Sequence, residues 1–324
     1  MSAFRESRSD KRSGTVYRPD PRSHFSPISP ISRQSSRRGR LFLGFLFSSC
    51  IGLLAYRRRS LTRDGAAGAV VTGTTIFGLG GWPWGLSLIY FFLSSTLLSH
   101  FREKEKEHVA ADKFSKGAQR DLAQVAANGG LAALCATASG VTNSQSLQQV
   151  LEVGFAGALA TATADTWATE LGVLSHAEPR LITSGRTVAP GTSGGITLPG
   201  LVASALGACT FGLVLWATQG LHKSRADLPA ISLLSGQAGS LCDSLLGATV
   251  QAMYFCPTCR CETERVIHSC GTHTRLLRGL PWCNNDIVNF FATLAGACTA
   301  IALHGITRGL SFLLRKKTPT RPGL

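Results

Sequence analysis

Apolar runs of membrane-crossing length alternate with short polar stretches along most of the chain. A helix needs about 20 apolar residues to cross a bilayer, and this criterion gives eight candidate segments. They cover residues 41–56, 65–82, 83–101, 119–140, 149–173, 195–217, 229–253 and 286–308. The first segment is short, so it could lie at the interface or re-enter without crossing. The pattern predicts an all-α, polytopic membrane helix bundle with six to eight crossings, six or seven being favoured.

Composition supports this architecture and marks the ends of the membrane region. Only 16% of residues are charged, against about 25% in soluble domains, and the 35 glycines suit close helix packing in a bilayer. We interpret residues 1–40, with ten Lys or Arg and ten Ser, as a basic disordered tail. Residues 41–310 form the membrane domain, including a cysteine-rich loop at 254–285, and residues 311–324 form a second basic tail. A multi-pass membrane protein is expected, in the cell membrane if the source is bacterial.

Basic residues are shared unevenly between the two predicted sides of the membrane. If every segment from residue 65 onward crosses, one side holds 16 Lys or Arg in the loops 57–63, 102–120, 174–194 and 254–285, against seven on the other. The positive-inside rule places those loops in the cytoplasm, unless segment 41–56 crosses and the N-terminal tail cancels the bias. Because aromatic residues are not interleaved with the basic ones, the lipid bilayer and phosphates are the expected partners and nucleic acid is not.

Two carboxylates stand inside the otherwise apolar segment GALATATADTWATELG, residues 157–172. A charge at mid-helix costs about 2.5–3.5 kcal/mol on insertion scales, so Asp165 and Glu170 need a partner or a function. Asp165 shares a helical face with Thr169, which makes a narrow polar stripe near the predicted cytoplasmic end. Mg²⁺ prefers oxygen ligands and often combines one or two carboxylates with substrate phosphates. A pairing that serves only helix assembly is the alternative.

A second acid and a polar helical face lie in other segments. GSLCDSLLGATVQ, residues 239–251, sets Asp243 among small and apolar residues. Gln124 and Asn128 are four residues apart and share a face with Arg120. Hydrogen bonding between helices explains that face as well as a binding site does.

A glycine-rich loop, RLITSGRTVAPGTSGGIT at 180–197, leads directly into an apolar segment. Its glycines allow backbone N–H groups to approach an anion, and the start of the following helix adds a positive dipole end. Arg186 could pair with a phosphate through two hydrogen bonds. A plain turn at the membrane surface is the alternative.

Five of the ten cysteines cluster in CPTCRCETERVIHSCGTHTRLLRGLPWC, residues 256–283. Their spacing is compatible with a tetrahedral, structural Zn²⁺ site. The predicted ligands are Cys256, Cys259, Cys270 and His273, with His268 as the alternative to His273 and Cys261 as a spare thiol. Disulfides are not expected if the loop is cytoplasmic. The other five cysteines are interpreted as packing residues.

Five strings occur together in the order and spacing of one known family: QVAANGG, GALATATADTWATELG, TSGRTVAPGTSGGIT, GSLCDSLLGATVQ and NNDIVNF. On these strings the chain resembles the transmembrane protein 19 family over about residues 60–310. That family includes the plant phytyl-phosphate kinase of vitamin E biosynthesis. The resemblance implies a membrane kinase that converts an isoprenoid monophosphate into the diphosphate, with Mg²⁺ as cofactor and CTP or ATP as the donor.

The resemblance also implies a role for each motif, since phosphoryl transfer requires mainly positioning and charge neutralisation. Asp165 and Asp243 would bind Mg²⁺, and Glu170 would be a further ligand or hold a water molecule. The residues expected to hold phosphates or line the site are Arg186, Asn128, Gly191, Thr192, Ser193, Gly194, Gly195, Asn285 and Asp286. The prenyl chain would lie between helices.

Two other functions fit parts of the pattern. A transporter would use the intramembrane acids as proton or cation sites, and the likeness of AGALATATADT to GQAGSLCDS would then mark an internal repeat. A non-catalytic membrane scaffold would use the cysteine loop for docking. Neither requires a phosphate-binding loop beside arginines, so the kinase is favoured. The sequence does not decide between a monomer and a homodimer.

Overall fold

The structure, a computed structural model, describes residues 30–110, 119–222 and 225–317. Helices dominate this part of the chain: α1 Pro30–Arg57, α2 Arg63–Thr75, α3 Trp82–His100, α4 Glu103–Ala110, α5 Leu122–Val141, α6 Gln145–Gly172, α7 Leu198–Thr218, α8 Leu228–Thr249 and α9 Asn285–Lys317. A short π-helical segment, Ile76–Gly80, continues α2. Each of the eight apolar segments is helical, and the predicted all-α membrane class is confirmed.

The helix α6 lies at the centre of the bundle and packs against α3, α5, α7, α8 and α9. Its residues from Val153 to Ala164 are all buried, and most of them are Ala, Gly or Thr. These small side chains allow neighbouring helices to approach closely. A helix surrounded by protein does not need an apolar surface for contact with lipid. The α6 helix can therefore carry polar residues at the centre of the bundle.

Three helical stretches are long and apolar enough to cross a membrane by length and composition alone. Among the described residues they are Arg37–Arg57 in α1, Leu198–Thr218 in α7 and Asn285–Gly309 in α9. Segment 41–56 was expected to be too short to cross, but it belongs to the first of these stretches, which has 21 residues and is long enough. The Arg37 guanidinium donates to Gly140 O near the end of α5, while Arg57 ends α1 beside the start of α2. The α1 helix therefore runs the length of the bundle.

The first and last helices extend beyond the predicted limits of the membrane domain at residues 41 and 310. The predicted tail 1–40 falls outside the described residues up to residue 29, and α1 begins at Pro30, since proline suits the first turn of a helix. At the other end α9 continues to Lys317, past the predicted boundary at 310, and residues 318–324 lie outside the description. From Arg37 onward, the described residues form one compact unit.

Hydrogen bonds join the four long polar loops at one end of the bundle, which we call the loop end. Thr62 N donates to Arg120 O over 3.1 Å, connecting loop 57–63 to loop 102–120. Arg278 Nη2 donates to Ser193 O over 3.1 Å, connecting loop 254–285 to loop 174–194. Lys106 of α4 pairs with Glu170 at the end of α6. This ion pair connects loop 102–120 to the helix that leads into loop 174–194. This arrangement matches the shared side expected from the alternation of crossings.

Two small antiparallel sheets lie in the loops before α7 and α9, and no sequence pattern predicted them. One pairs β1 Arg180–Leu181 with β2 Gly195–Ile196. The other has the order β4-β3-β5, with β3 Met253–Cys256, β4 Cys261–Thr263 and β5 Arg275–Arg278. Strands of two to four residues are too short to show an alternating apolar pattern.

Glycines set the distance between α6 and α9. A Cβ at Gly296 would lie 1.9 Å from Thr161 Oγ1 and 2.8 Å from Gly157 O. Gly305, further along the same helix, has no atom within 4 Å of such a Cβ. The two positions therefore form a matched pair for testing the packing.

Gly296→Val is expected to destabilise the bundle by about 1–3 kcal/mol, because the added side chain overpacks a close helix contact. Gly305→Val, with the same loss of backbone freedom, serves as the control. The measurement is the apparent melting temperature of each variant in detergent. Equal melting temperatures for the two variants would contradict the described α6–α9 contact.

Candidate functional site

A polar cavity of about 270 Å³ opens at the loop end of the bundle. It is bounded by the end of α3, the start of α5, the ends of α6 and α8, the starts of α7 and α9, and both sheet-containing loops. Among the residues expected in the site, ten line this cavity: Asn128, Asp165, Glu170, Gly191, Thr192, Ser193, Gly194, Gly195, Asp243 and Asn285. Segments far apart in the sequence therefore meet around one space.

Asp165 of α6 and Asp243 of α8 both line this cavity, as does Glu264, and the charges of Asp165 and Glu264 act on Asp243. Asp243 Oδ2 is buried and accepts no hydrogen bond from the residues that the structure describes. A buried carboxylate oxygen without a donor is costly. A cation held between the two aspartates would satisfy it.

Small residues allow the two aspartate-bearing helices to come together. A Cβ at Gly239 of α8 would lie 2.2 Å from Thr161 Oγ1 of α6, and one at Gly236 would lie 2.9 Å from Ala160 O. On the neighbouring face, Trp167 packs against Gly207 of α7, where a Cβ would lie 2.9 Å from the indole Cγ. The small residues that precede each acid therefore set the spacing of the pair.

The glycine-rich loop folds over the end of α8 and borders the cavity. Gly191 and Gly194 have φ angles of 77° and 83°, a region that side chains disfavour. A Cβ at Gly194 would lie 2.5 Å from Ala248 Cβ, so only glycine fits there. Within the described chain, the N–H groups of Ser193 and Gly194 have no hydrogen-bond acceptor. These two donors are not used by the turn itself.

The loop leads into the N-terminus of α7, which also borders the cavity. Thr197 caps this helix, its Oγ1 accepting from Gly200 N over 3.1 Å. Thr197, Gly200 and Leu201 all line the cavity. The positive end of the α7 dipole therefore faces the same space as residues 191–195 of the loop, which we call the glycine turn. This arrangement favours anions.

Side chains of the cysteine-rich loop support the glycine turn from behind. Arg278 of β5 donates to Gly247 O over 2.6 Å and to Ser193 O over 3.1 Å. Burial lowers the pKa of the Arg278 guanidinium. Ser193 Oγ donates to Gln251 Oε1 over 2.7 Å, and Gln251 Nε2 donates to Glu264 Oε1 over 2.8 Å. The sequence analysis missed this network, whose members lie up to 85 residues apart.

The arginine at the cavity is not the predicted one. Arg186 and Arg180 are exposed on the turn around β1 and do not line the cavity. Arg120, at the start of α5, lines it instead, and its guanidinium lies 6.0 Å from the centre of the Phe91 ring. Arg186 is displaced because the glycines at 185 and 191 turn the chain back on itself. Arg120 lies two residues before α5, and its spacing of four and eight residues from Gln124 and Asn128 is the signal that could have identified it.

Glu170 lines the cavity but its two oxygens are engaged by protein groups. Ser99 Oγ donates to Glu170 Oε1 over 2.6 Å, and the Lys106 ammonium pairs with Oε2. Lys106 also donates to the carbonyl oxygens of Leu98 and Ser99. These contacts favour a structural ion pair that ties α4 to α6, so the role predicted for Glu170 as a metal ligand has no support in its geometry.

The two predicted site residues at the start of α9, Asn285 and Asp286, differ in their relation to the cavity. Asn285 lines the cavity, whereas Asp286 is buried beside it without lining it. Asn289 lines the cavity in place of Asp286. It lies four residues after Asn285 and therefore on the same helical face. Further polar residues of the lining that the sequence analysis did not assign are Ser99, Gln124, Thr166, Ser240, Ser244, Glu264 and Asn289.

Four metal-binding side chains converge in the cysteine-rich loop: Cys256, Cys259, His268 and Cys270, with all ligand atoms within 4.8 Å of one another. The histidine of this cluster is the buried His268, which corrects the choice of His273; the latter is exposed and its backbone bridges to Ile267. Hydrogen bonds with Thr272 and His268 lower the pKa of Cys270 to about 6. Hydrogen bonds with Cys270 and Cys256 raise the pKa of Cys259 to about 12.

Comparison with protein families matches residues 46–297 to the family described as integral membrane protein DUF92. The chain belongs to this family. Membership confirms the family expected from the five strings, and with it an integral membrane protein.

Relatives in plants and in an archaeon share most of the chain. Protein PGR of Arabidopsis thaliana is 34% identical over 280 residues, which cover 81% of this chain and 95% of that protein. The uncharacterized membrane protein MJ0933 of Methanocaldococcus jannaschii is 28% identical, over 82% and 94% of the two chains. Protein VTE6, chloroplastic, of A. thaliana is 25% identical, over 75% and 65%. No solved structure matches the chain at a significant level.

Arg278→Met is expected to loosen the glycine turn, because hydrogen bonds from a charged donor contribute about 1.5–3 kcal/mol each. Amide hydrogen exchange across residues 191–195 should become at least about tenfold faster. Arg275→Met, at an exposed position of the same strand, is the matched control. Unchanged exchange in the Arg278 variant would show that this arginine does not hold the turn.

Proposed function

We propose that the chain is a membrane phosphotransferase that converts an isoprenoid monophosphate, such as phytyl phosphate, into the diphosphate with a nucleoside triphosphate as donor. The observation that carries this proposal is the meeting of Asp165 and Asp243 with the glycine turn around one cavity. Carboxylates alone would suit many functions. Carboxylates opposite a turn with free N–H groups and a helix N-terminus suit a metal-bound phosphate.

The donor set fits Mg²⁺. Asp165 and Asp243 offer carboxylate oxygens on facing helices, and Asp243 Oδ2 has no donor among the described residues. This leaves one oxygen ready for a hard cation, which commonly takes one or two carboxylates and completes its shell with phosphates and water. When bound between these aspartates, Mg²⁺ would neutralise phosphate charge, as in other phosphoryl-transfer sites.

The remaining residues of the cavity would bind and orient the two substrates. The N–H groups of Ser193 and Gly194 and the N-terminus of α7 would hold phosphate oxygens of the donor. Arg120 also lines the cavity, and its guanidinium would hold the phosphate of the acceptor. Two phosphates fixed this way would be held close together, which supplies much of the catalysis in phosphoryl transfer.

An apolar pocket adjoins the polar cavity and suits a lipid acceptor. It lies between α1, α2, α3 and α5 and has a volume of about 90 Å³. Arg120, Gln124 and Asn128 belong to both spaces. A ligand with a phosphate head and a hydrocarbon chain would place the head at Arg120 and the first part of the chain between Ile51 and Phe91. The family resemblance, which includes the plant phytyl-phosphate kinase, supports the same class of acceptor.

The purified chain in detergent should form diphosphate product from labelled CTP or ATP and phytyl, geranylgeranyl or farnesyl phosphate, only with Mg²⁺ present. Asp243→Asn should lower the rate at least about 100-fold, the scale of losing one electrostatic contact to the transition state. Glu178→Gln, at an exposed position of the neighbouring loop, is the control for loss of a carboxylate.

Absence of product with every donor and acceptor pair would remove the kinase proposal. Proton-coupled or cation-coupled flux in proteoliposomes, abolished by the same Asp243 variant, would then assign the acids to transport instead.

Ile51→Trp should interfere with long acceptors because the larger side chain fills the apolar pocket. We expect KM for geranylgeranyl phosphate to rise about tenfold, the scale of a change in apolar contact, with little change for the five-carbon dimethylallyl phosphate. Leu53→Trp, on the exposed face of α1, is the matched control. Equal effects on both acceptors would place the hydrocarbon chain elsewhere.

A further inference from the structure

We propose that the cysteine-rich loop binds one structural zinc ion through Cys256, Cys259, His268 and Cys270, and that this site supports the glycine turn. The proposal stands on the loop itself and does not depend on the reaction proposed above. Three thiols and one imidazole are a common ligand set for structural zinc.

Distances within the cluster already approach those of a zinc tetrahedron. Zn–S bonds of about 2.3 Å and Zn–N bonds of about 2.0–2.1 Å imply edges of about 3.8 Å between sulfurs and about 3.6 Å between sulfur and nitrogen. Cys256 Sγ lies 3.7 Å from Cys270 Sγ, and His268 Nδ1 lies 3.2 Å from Cys270 Sγ. The set therefore needs only small adjustments to hold an ion.

Neighbouring groups favour Cys256 and His268 as ligands. Cys259 N donates to Cys256 Sγ over 3.4 Å, which stabilises a thiolate. His268 Nε2 lies 3.5 Å from Cys261 Sγ, so the nitrogen that faces away from the cluster also has a neighbour. Such second contacts orient a ligating histidine. Cys261 is thus assigned beside the site and not within it.

The sheet in this loop is small. Its three strands are three or four residues long, and a sheet of this size is marginal without an additional constraint. The four ligands join the end of β3, the turn to β4 and the segment between β4 and β5. A metal at this point would fix the shape of the whole sheet, since binding energy at a structural site becomes folding energy.

The sheet in turn positions residues of the polar cavity. Arg278 on β5 donates to Ser193 O and Gly247 O, and Glu264, directly after β4, accepts from Gln251. Arg278 lies on the sheet that the cluster closes, and Glu264 directly follows one of its strands. Loss of zinc is therefore expected to reach the glycine turn even though the cluster does not line the cavity.

The first test is the metal content of the full-length chain purified in detergent without chelators. Elemental analysis should find about one zinc per chain. Native alkylation with N-ethylmaleimide, read by mass spectrometry, should spare Cys256, Cys259 and Cys270 until a strong chelator is added. Less than about half an equivalent of zinc, or a disulfide among these three cysteines, would overturn the proposal.

Matched variants then test which side chains bind. Cys259→Ser and His268→Ala should each lower zinc affinity by more than about tenfold, since a change to an outer contact alone costs about 10–100-fold. Cys261→Ser keeps a hydrogen-bonding group beside His268, and His273→Ala changes a side chain outside the cluster, so both should retain zinc. The opposite result in either pair would overturn the assignment of that ligand.

Zinc removal from the wild-type chain provides a readout that needs no variant and no reaction. Hydrogen exchange across residues 191–195 should accelerate after chelation and recover when zinc is returned. An unchanged exchange rate, with zinc gone, would overturn the proposed support of the glycine turn. Failure of the kinase assay alone would leave each of these results unaffected, so the two proposals can fail separately.

Discussion

The close approach of α6 to α8 and α9 is the constraint on which the rest of the structure depends. A carboxylate inside a membrane bundle is tolerated only if its surroundings compensate the cost of burial. Gly239 and Gly296 both pack on Thr161, one turn before Asp165. Because these contacts leave no room for side chains, the helices meet closely enough for Asp165 and Asp243 to share one cavity. A wider spacing would separate the acids and remove the polar site.

Sequence patterns predicted the parts of the fold that depend on long, local regularities. Every apolar segment is a helix, and the polar residues that interrupt them at helical spacing, such as Asn128 and Asp243, point into one cavity. Predictions made from short motifs were less successful. Arg186 lies next to the glycine turn in sequence, but the turn carries it outward, and Arg120 reaches the cavity from a position 66 residues earlier, just before α5. The choice between His268 and His273 depended on a sheet with strands too short to recognise.

Those errors share a physical cause. Helix periodicity is set by the backbone, so it can be read along the chain. The direction of a loop side chain is set by glycine conformations and by contacts between distant loops, such as Arg278 with Ser193, which no local pattern encodes. The cavity therefore combines a predictable part, the polar helix faces, with loops whose geometry emerges only in three dimensions. Its position at the loop end would let a lipid held between helices meet a soluble nucleotide.

The central claim is that Asp165 and Asp243 together hold a divalent cation that also binds phosphate. Electron paramagnetic resonance of Mn²⁺, used in place of Mg²⁺, tests it most directly in the purified chain with a non-hydrolysable nucleotide analogue. The account predicts that free Mn²⁺ signal falls only when nucleotide is present, and that Asp165→Asn and Asp243→Asn each abolish the effect. Equal Mn²⁺ binding by the wild-type chain and both variants would contradict it.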